Sequence, residues 1–416
     1  MYDRKRLRRA LALAAEALSI AAGAATLAPT GAGAGGVSAS SASTAAPQWG
    51  VYTAPGAKDV AGAGVYSAFT GVSTGRVLDF LPTSSWLEMT RNAWMLSPYT
   101  GTGYQLELSV PMLPDSTGVS LDDCAAGSYD ATWISIATTL VSLGLQQTEI
   151  RPGWEFNGNW YKWSAGGHVA SYIGCFQHMV TAMRSVAGQQ LTFTWNPNLG
   201  GGAFPAEQAW PGAGYVDDIS LDVYDTSWTV YPTPASMTTA AAETSAWAWI
   251  RKGDHGLNFW SAFAAAQGKP LAISEWALTA RADGHGGNDD PIFVDGMFDF
   301  MLDPANHVAY ANYFNVPLNH QITAPTAFPL SAARIKARMA GTAPVPAVTT
   351  SAAPRPVTTT TPAGGAKPTP TKTPATASVS AAPKVVRATS STGASPTKLA
   401  AASMGVGGAF TGLWGR

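Results

Sequence analysis

Eight short apolar runs with strand character, each parted from the next by a longer amphipathic stretch, constrain the fold of this chain more than any other feature. They are Trp49 to Thr53, Val77 to Leu81, Tyr104 to Val110, Thr148 to Arg151, Leu191 to Trp195, Ile219 to Val223, Leu271 to Ser274 and Val308 to Phe314. Strand and helix signals that alternate in this way point to parallel strands covered by helices, and eight such units close a barrel. The clearest helix is Ala131 to Leu145, where Trp133, Ile136, Leu140, Val141 and Leu143 fall on one stripe and Gly144 marks the end. His168 to Val186 has the same character, and Pro329 to Met339 is expected to close the ring. The fold class is therefore α/β, a (β/α)8 TIM barrel over residues 47–342. Its core is well supplied, since 46% of the 416 residues are hydrophobic.

The chemistry concentrates at Ile150 to Trp163, which reads I-R-P-G-W-E-F-N-G-N-W-Y-K-W. Here Glu155 follows an apolar strand and is surrounded by Trp154, Phe156, Asn157, Trp160 and Trp163, in a chain with only 12% charged residues. Apolar surroundings disfavour the ionised form, so this carboxyl is expected to hold its proton near neutrality and to donate it to a leaving oxygen. Glycoside hydrolysis uses such an acid together with a second carboxylate. Glu275 supplies one: it closes the run Pro270 to Trp276, P-L-A-I-S-E-W, and again precedes a tryptophan. In a β/α barrel the carboxyl ends of the strands converge on one face, so the two glutamates can meet across the barrel mouth.

Three further motifs accompany these glutamates: T-W-N-P-N at Thr194 to Asn198, D-I-S-L-D-V-Y at Asp218 to Tyr224, and I-S-E-W at Ile273 to Trp276. With the Glu155 motif they make most of residues 47–340 similar to glycoside hydrolase family 26, the β-mannanases and related β-glycanases. The resemblance implies Glu155 as acid/base, Glu275 as nucleophile, and Tyr224 as a hydroxyl that holds and polarises the nucleophile. One position departs from the pattern, since many members carry a histidine where this chain has Trp154. The function implied is a retaining hydrolase that cleaves mannan or a related β-linked polysaccharide by double displacement. The opposing reading is a catalytically silent barrel that binds polysaccharide at the cell surface. Two intact glutamates at strand ends favour the enzyme, because a silent barrel needs neither.

Other residues are weighed by position. Trp160 and Trp163 lie on a mouth loop, where an indole face can stack on a pyranose, and substrate contact is preferred to loop packing. For Asn157 two readings stand, a hydrogen bond to a sugar hydroxyl or a cap on the turn with Gly158. Trp195 and Asn196 follow the fifth strand toward the same face and, with Trp154, Tyr224 and Trp276, complete the expected substrate-binding set. Trp276 and Trp228 can equally be core. Arg151 is either a buried partner that keeps a carboxylate ionised or a structural ion pair. Asp289 and Asp290 are read as caps for a helix starting at Pro291 rather than as substrate contacts. The six histidines are scattered, so no metal site and no cofactor are expected.

Charge narrows the substrate class. The net charge of -1 hides a split, for residues 30–342 carry 13 Lys and Arg against 24 Asp and Glu. So acidic a domain argues against nucleic acid, whose phosphates need basic partners, and suits a neutral polysaccharide. The start, M-Y-D-R-K-R-L-R-R followed by an Ala/Leu stretch to Ala28, resembles a secretory leader over residues 1–29, despite Glu16, with a linker at 30–46. No other run approaches the ~20 apolar residues of a membrane span. A secreted or cell-surface monomer is expected. Cys124 and Cys175 are either a disulfide between neighbouring loops or two buried thiols. Residues 343–416 are Pro, Thr, Ser and Ala with scattered bases, a composition read as a disordered tail.

Overall fold

The eight expected strands form one closed parallel barrel, with neighbours in chain order and β1 returning to β8. The structure, a computed structural model, describes residues 47–200, 202–231 and 239–341. The expected leader, linker and tail at 1–29, 30–46 and 343–416 lie outside the described residues. The strands are β1 Gln48–Tyr52, β2 Arg76–Phe80, β3 Gln105–Val110, β4 Glu149–Pro152, β5 Thr192–Trp195, β6 Asp218–Tyr224, β7 Leu271–Ala277 and β8 Val308–Phe314. Seven of them match the sequence reading to within one residue at each end, whereas β7 runs three residues beyond Ser274. Glu275 therefore lies inside a strand and does not follow one, and Tyr224 is the last residue of β6.

Both faces of this barrel are buried, so its strands alternate between two kinds of interior. In β3, Leu106, Leu108 and Val110 face the helical layer, while Glu107 reaches β7 and β8 through the lumen and Ser109 accepts from Arg151 on the neighbouring β4. The lumen is consequently polar. Glu107 accepts from Ser274 on β7 and from Asn312 on β8, and Arg76 pairs with Glu149 beneath it. Outside the wall the apolar core is closed by helices such as Asp130–Ser142, which buries Trp133, Ile136, Ala137 and Leu140. Val141 and Leu143, expected on that stripe, are only partly buried because the helix ends before Leu143, and Gly144 takes the left-handed conformation (φ 74°) that reverses the chain. Val169–Arg184 and Pro329–Met339 complete the helices expected from the sequence.

Caps and a crosslink hold the connecting segments. Asp290 accepts from Ile292 N and Phe293 N at 2.7 and 2.9 Å and caps the helix Pro291–Leu302, as expected. Asp289 caps the following helix instead, accepting from Leu330 N and Ser331 N at 2.9 and 2.8 Å. Cys124 and Cys175 form a disulfide that ties the short helix Leu121–Ala125, after β3, to Val169–Arg184, after β4. Among the described residues no helix is long and apolar enough to cross a membrane.

Candidate active site

Glu155 is placed by a strained turn at the end of β4. Gly153 takes φ 48°, and a Cβ there would lie 2.7 Å from Met112 Sδ, so the position is closed to side chains. Two residues on, Glu155 itself has φ 51°, a conformation that costs an ordinary residue roughly 1–2 kcal/mol. Its N–H donates to Asn196 O at 2.8 Å, which fixes the turn against the end of β5. The carboxyl is buried. Its Oε1 accepts from Asn198 Nδ2 at 2.6 Å and its Oε2 from Trp160 Nε1 at 3.0 Å. Burial first, and the charge of Glu275 second, push this acid up to about 7, against the pull of those two hydrogen bonds.

Glu275 is aimed by a bulge. Leu221 pairs with Ile273 but the next residue, Asp222, pairs with Glu275, so Ser274 is an extra residue in β7. An added residue re-aims the side chains around it. Ser274 and Glu275 thus both reach lumen partners although they are adjacent, the first Glu107 and the second Arg151. The Glu275 carboxylate is held at both oxygens: Oε1 accepts from Arg151 Nη2 and Oε2 from the Tyr224 hydroxyl. Burial and the Glu275 charge raise the Tyr224 phenol well above its ordinary value, so it stays a donor.

Arg151 organises this layer of the barrel. It is fully buried, and besides Glu275 it donates through Nη1 to both Asp222 oxygens at 3.0 and 3.2 Å and through Nε to Ser109 Oγ at 2.8 Å. Arg151 is thus buried and pairs with two carboxyl groups, those of Glu275 and Asp222. Asn196 joins the same network, with Nδ2 donating to Asp222 at 3.1 Å and Oδ1 accepting from Arg151 at 3.4 Å. The two glutamates thus sit in contrasting surroundings. Glu155 meets only neutral donors and is raised by burial, whereas Glu275 is bonded by a guanidinium and a phenol.

The aromatic expectations divide. Trp160 is exposed on one side and bonded to Glu155, as a subsite wall requires. Trp163, Trp195 and Trp276 are buried and offer no face to a sugar, which corrects their reading as substrate contacts. Trp163 donates to Trp154 O and stacks on Tyr161, and Trp195 packs among Phe156, Trp210, Trp260 and Phe263. Trp276 turns outward against Phe298 and Tyr313. Strand alternation carried the signal for two of them: Thr194 and Glu275 face the lumen, so Trp195 and Trp276 face the helices. Trp154 is also buried, with its Nε1 donating to Tyr161 Oη at 2.9 Å. Trp228 is half-exposed and stacks on His285.

Asn157 and Asn196 serve inside the site, not at its surface. Asn157 is buried and does neither thing expected of it: its amide pairs with the backbone of Asn198, donating to O at 2.9 Å and accepting from N at 2.8 Å. That clamp positions the Asn198 side chain on Glu155. Asn198 and Asp222 were not singled out from the sequence, although both lie in the quoted motifs. Their separation from the glutamates along the chain hides them.

The fold is a (β/α)8 barrel that brings two carboxyl groups with different partners to its mouth. Sequence comparison adds a family likeness over part of the chain. The profile described as glycosyl hydrolase family 26 matches residues 114–248, a stretch that carries Glu155, Asn198, Asp222 and Tyr224. Over that stretch the chain is similar to glycoside hydrolase family 26. Endoglucanase H of Acetivibrio thermocellus is 30% identical over 111 residues, 25% of this chain and 12% of that protein, so the match spans about an eighth of the relative's length. Among solved structures, a double mutant of the Cellulomonas fimi endo-β-1,4-mannanase is 17% identical with a TM-score of 0.52, covering 71% of each chain. GH26C from a Muricauda species is 16% identical with a TM-score of 0.51, covering 70% of this chain and 84% of its own. At these identities the structural likeness is one of fold.

Proposed function

We propose that this protein is a retaining glycoside hydrolase that cleaves a β-linked polysaccharide, mannan or a related β-glycan, by double displacement. The observation that carries the reading is the split between the glutamates: one is kept protonated by burial, and the other is held at both oxygens by Arg151 and Tyr224. In this mechanism Glu155 protonates the leaving oxygen while Glu275 attacks the anomeric carbon and forms a glycosyl-enzyme. Glu155, now a base, then activates water to release the sugar. Tyr224 and Arg151 orient the attacking oxygen of Glu275. The acidic domain favours a neutral polymer, and the disulfide together with the leader-like start supports an exported protein.

Alanine variants of the two glutamates test this. With aryl β-glycosides whose leaving group needs no proton, Glu155→Ala is expected to retain the first step and to yield β-glycosyl azide when azide is added. Glu275→Ala is expected to be inactive until azide replaces the nucleophile, giving the α-azide. Equal loss in both, with no azide product from either, would return the silent polysaccharide-binding barrel. Product sizing on mannan, β-glucans and β-xylans identifies the polymer.

A further inference from the structure

We propose that Tyr161 is a substrate-positioning residue whose hydroxyl donates a hydrogen bond to a ring hydroxyl of the sugar held between Glu155 and Glu275. The inference rests on the glycosidase reading and extends it to a residue whose chemistry comes from the structure alone. A phenol has one proton to give and lone pairs to receive, whereas an indole N–H can only give. The Trp154 indole donates to Tyr161 Oη at 2.9 Å, so the acceptor side of the phenol is occupied and its proton must point elsewhere. Among the described residues none accepts that proton.

The oxygen is held where a substrate would meet it. The Tyr161 ring lies flat on Trp163, centroids 4.3 Å apart and planes 11° from parallel, and Trp163 is itself anchored by donating to Trp154 O at 2.8 Å. Trp154 is wedged edge-on against Phe80 at 5.4 Å. It directly precedes Glu155, and its ring lies 5.6 Å from the Arg151 guanidinium that holds Glu275. This packed cluster holds the phenol on Trp154, the neighbour of Glu155, within range of the charges of both glutamates. Burial first, then the charges of Glu155 and Glu275, raise the phenol well above its ordinary value, so it remains a donor wherever the enzyme works. Tyr161 is itself only partly buried. The best ligand for a fixed neutral donor beside two carboxyls is an uncharged oxygen acceptor. A sugar hydroxyl is one, and an anionic ligand would be repelled.

A purely structural role, tying Trp154 to its loop, predicts losses that ignore the substrate. The test therefore compares wild type and Tyr161→Phe on a parent aryl β-glycoside and on analogues lacking one ring hydroxyl at a time. Tyr161→Phe is expected to lower kcat/KM on the parent by roughly 3- to 15-fold, the scale of one neutral hydrogen bond, and to cause no loss on one particular deoxy analogue. The same fold-loss on the parent and every analogue, or no loss at all, overturns the proposal. Trp154→Phe keeps the phenol but frees it to rotate, so a smaller loss that disappears on the same analogue is expected. If wild type cleaves none of the glycosides, the hydrolase reading falls separately. Calorimetric titration with the parent sugar and its deoxy analogues then decides: affinity lost selectively with one hydroxyl upholds the role of Tyr161, and equal affinities for both proteins overturn it.

Discussion

At the scale of single residues, the difference between the two glutamates comes from what donates to them. Asn198 and Trp160 are neutral and favour the ionised form of Glu155 too weakly to offset its burial, so its carboxyl rises to about 7. A general acid works only while protonated, so kcat/KM is expected to fall as pH rises through about 7. Removing a hydrogen bond that favours the charged form raises the pKa further. Asn198→Ala should therefore move that limb to higher pH, and a pH–rate profile that leaves it in place would contradict the assignment. Trp160 and Trp195 make a second contrast. Trp160→Ala, at an exposed position, should change stability by less than about 0.5 kcal/mol while weakening polysaccharide binding. Trp195→Ala should cost roughly 3–5 kcal/mol in denaturant unfolding, because it empties a packed site behind β5.

At the scale of elements, the barrel mouth depends on how its loops are tied. The bulge in β7 gives Ser274 and Glu275 separate lumen partners, and the Asn157–Asn198 clamp locks the β4 loop to the β5 loop. On the outside the Cys124–Cys175 disulfide spans a sequence separation of 51 and joins the segments after β3 and β4. A crosslink of that span restricts the unfolded chain, so replacing both cysteines by alanine is expected to lower stability by about 2–4 kcal/mol in urea unfolding. Activity at 25 °C should survive, since neither cysteine touches the glutamates. A midpoint unchanged by the double substitution would show that the crosslink adds nothing.

For the whole molecule, the number of buried acids sets how stability responds to pH. Burial is the leading cause that raises Asp79 to about 6 and Asp290 to about 6, and it raises Asp59, Asp218, Asp222 and Asp225 well above their ordinary values. An acid with a higher pKa folded than unfolded lends its full stability below the unfolded value, near 4. That stability is lost as pH rises through the folded value. His320 runs the other way: burial lowers it to about 4, so its contribution is present above about 6.5 and lost as pH falls toward 4. Several carboxyls outweigh one imidazole, so the melting temperature should be higher at pH 5 than at pH 8. Asp79, which accepts from Tyr99 Oη at 2.7 Å and Gly56 N at 2.8 Å, accounts for about 1.4 kcal/mol of that difference, since only the unit between pH 5 and about 6 falls in the interval. Asp79→Asn should narrow it, and melting curves at the two pH values measure the change.

The eight strands, the alternation that makes them parallel, and the two glutamates with Tyr224 were legible in the linear sequence, because each rests on local pattern: apolar runs, their spacing, and carboxyls beside aromatics at strand ends. Trp163, Trp195 and Trp276 were misjudged from the same pattern, since a tryptophan reads alike whether it faces a sugar or a core. For Trp195 and Trp276 the period-two alternation of β5 and β7 settles the side, but only once the lumen partners of Thr194 and Glu275 are known. The partners of the glutamates were not legible at all. Arg151 meets Glu275 from 124 residues away and Asn198 meets Glu155 from 43, contacts that exist only after the barrel has closed. Sequence determined which groups are the candidates for the chemistry, because reactivity belongs to residue type and immediate surroundings. Tertiary structure alone decided how far Glu155 is raised and which groups bond each glutamate, because that depends on burial and on donors arriving from other strands.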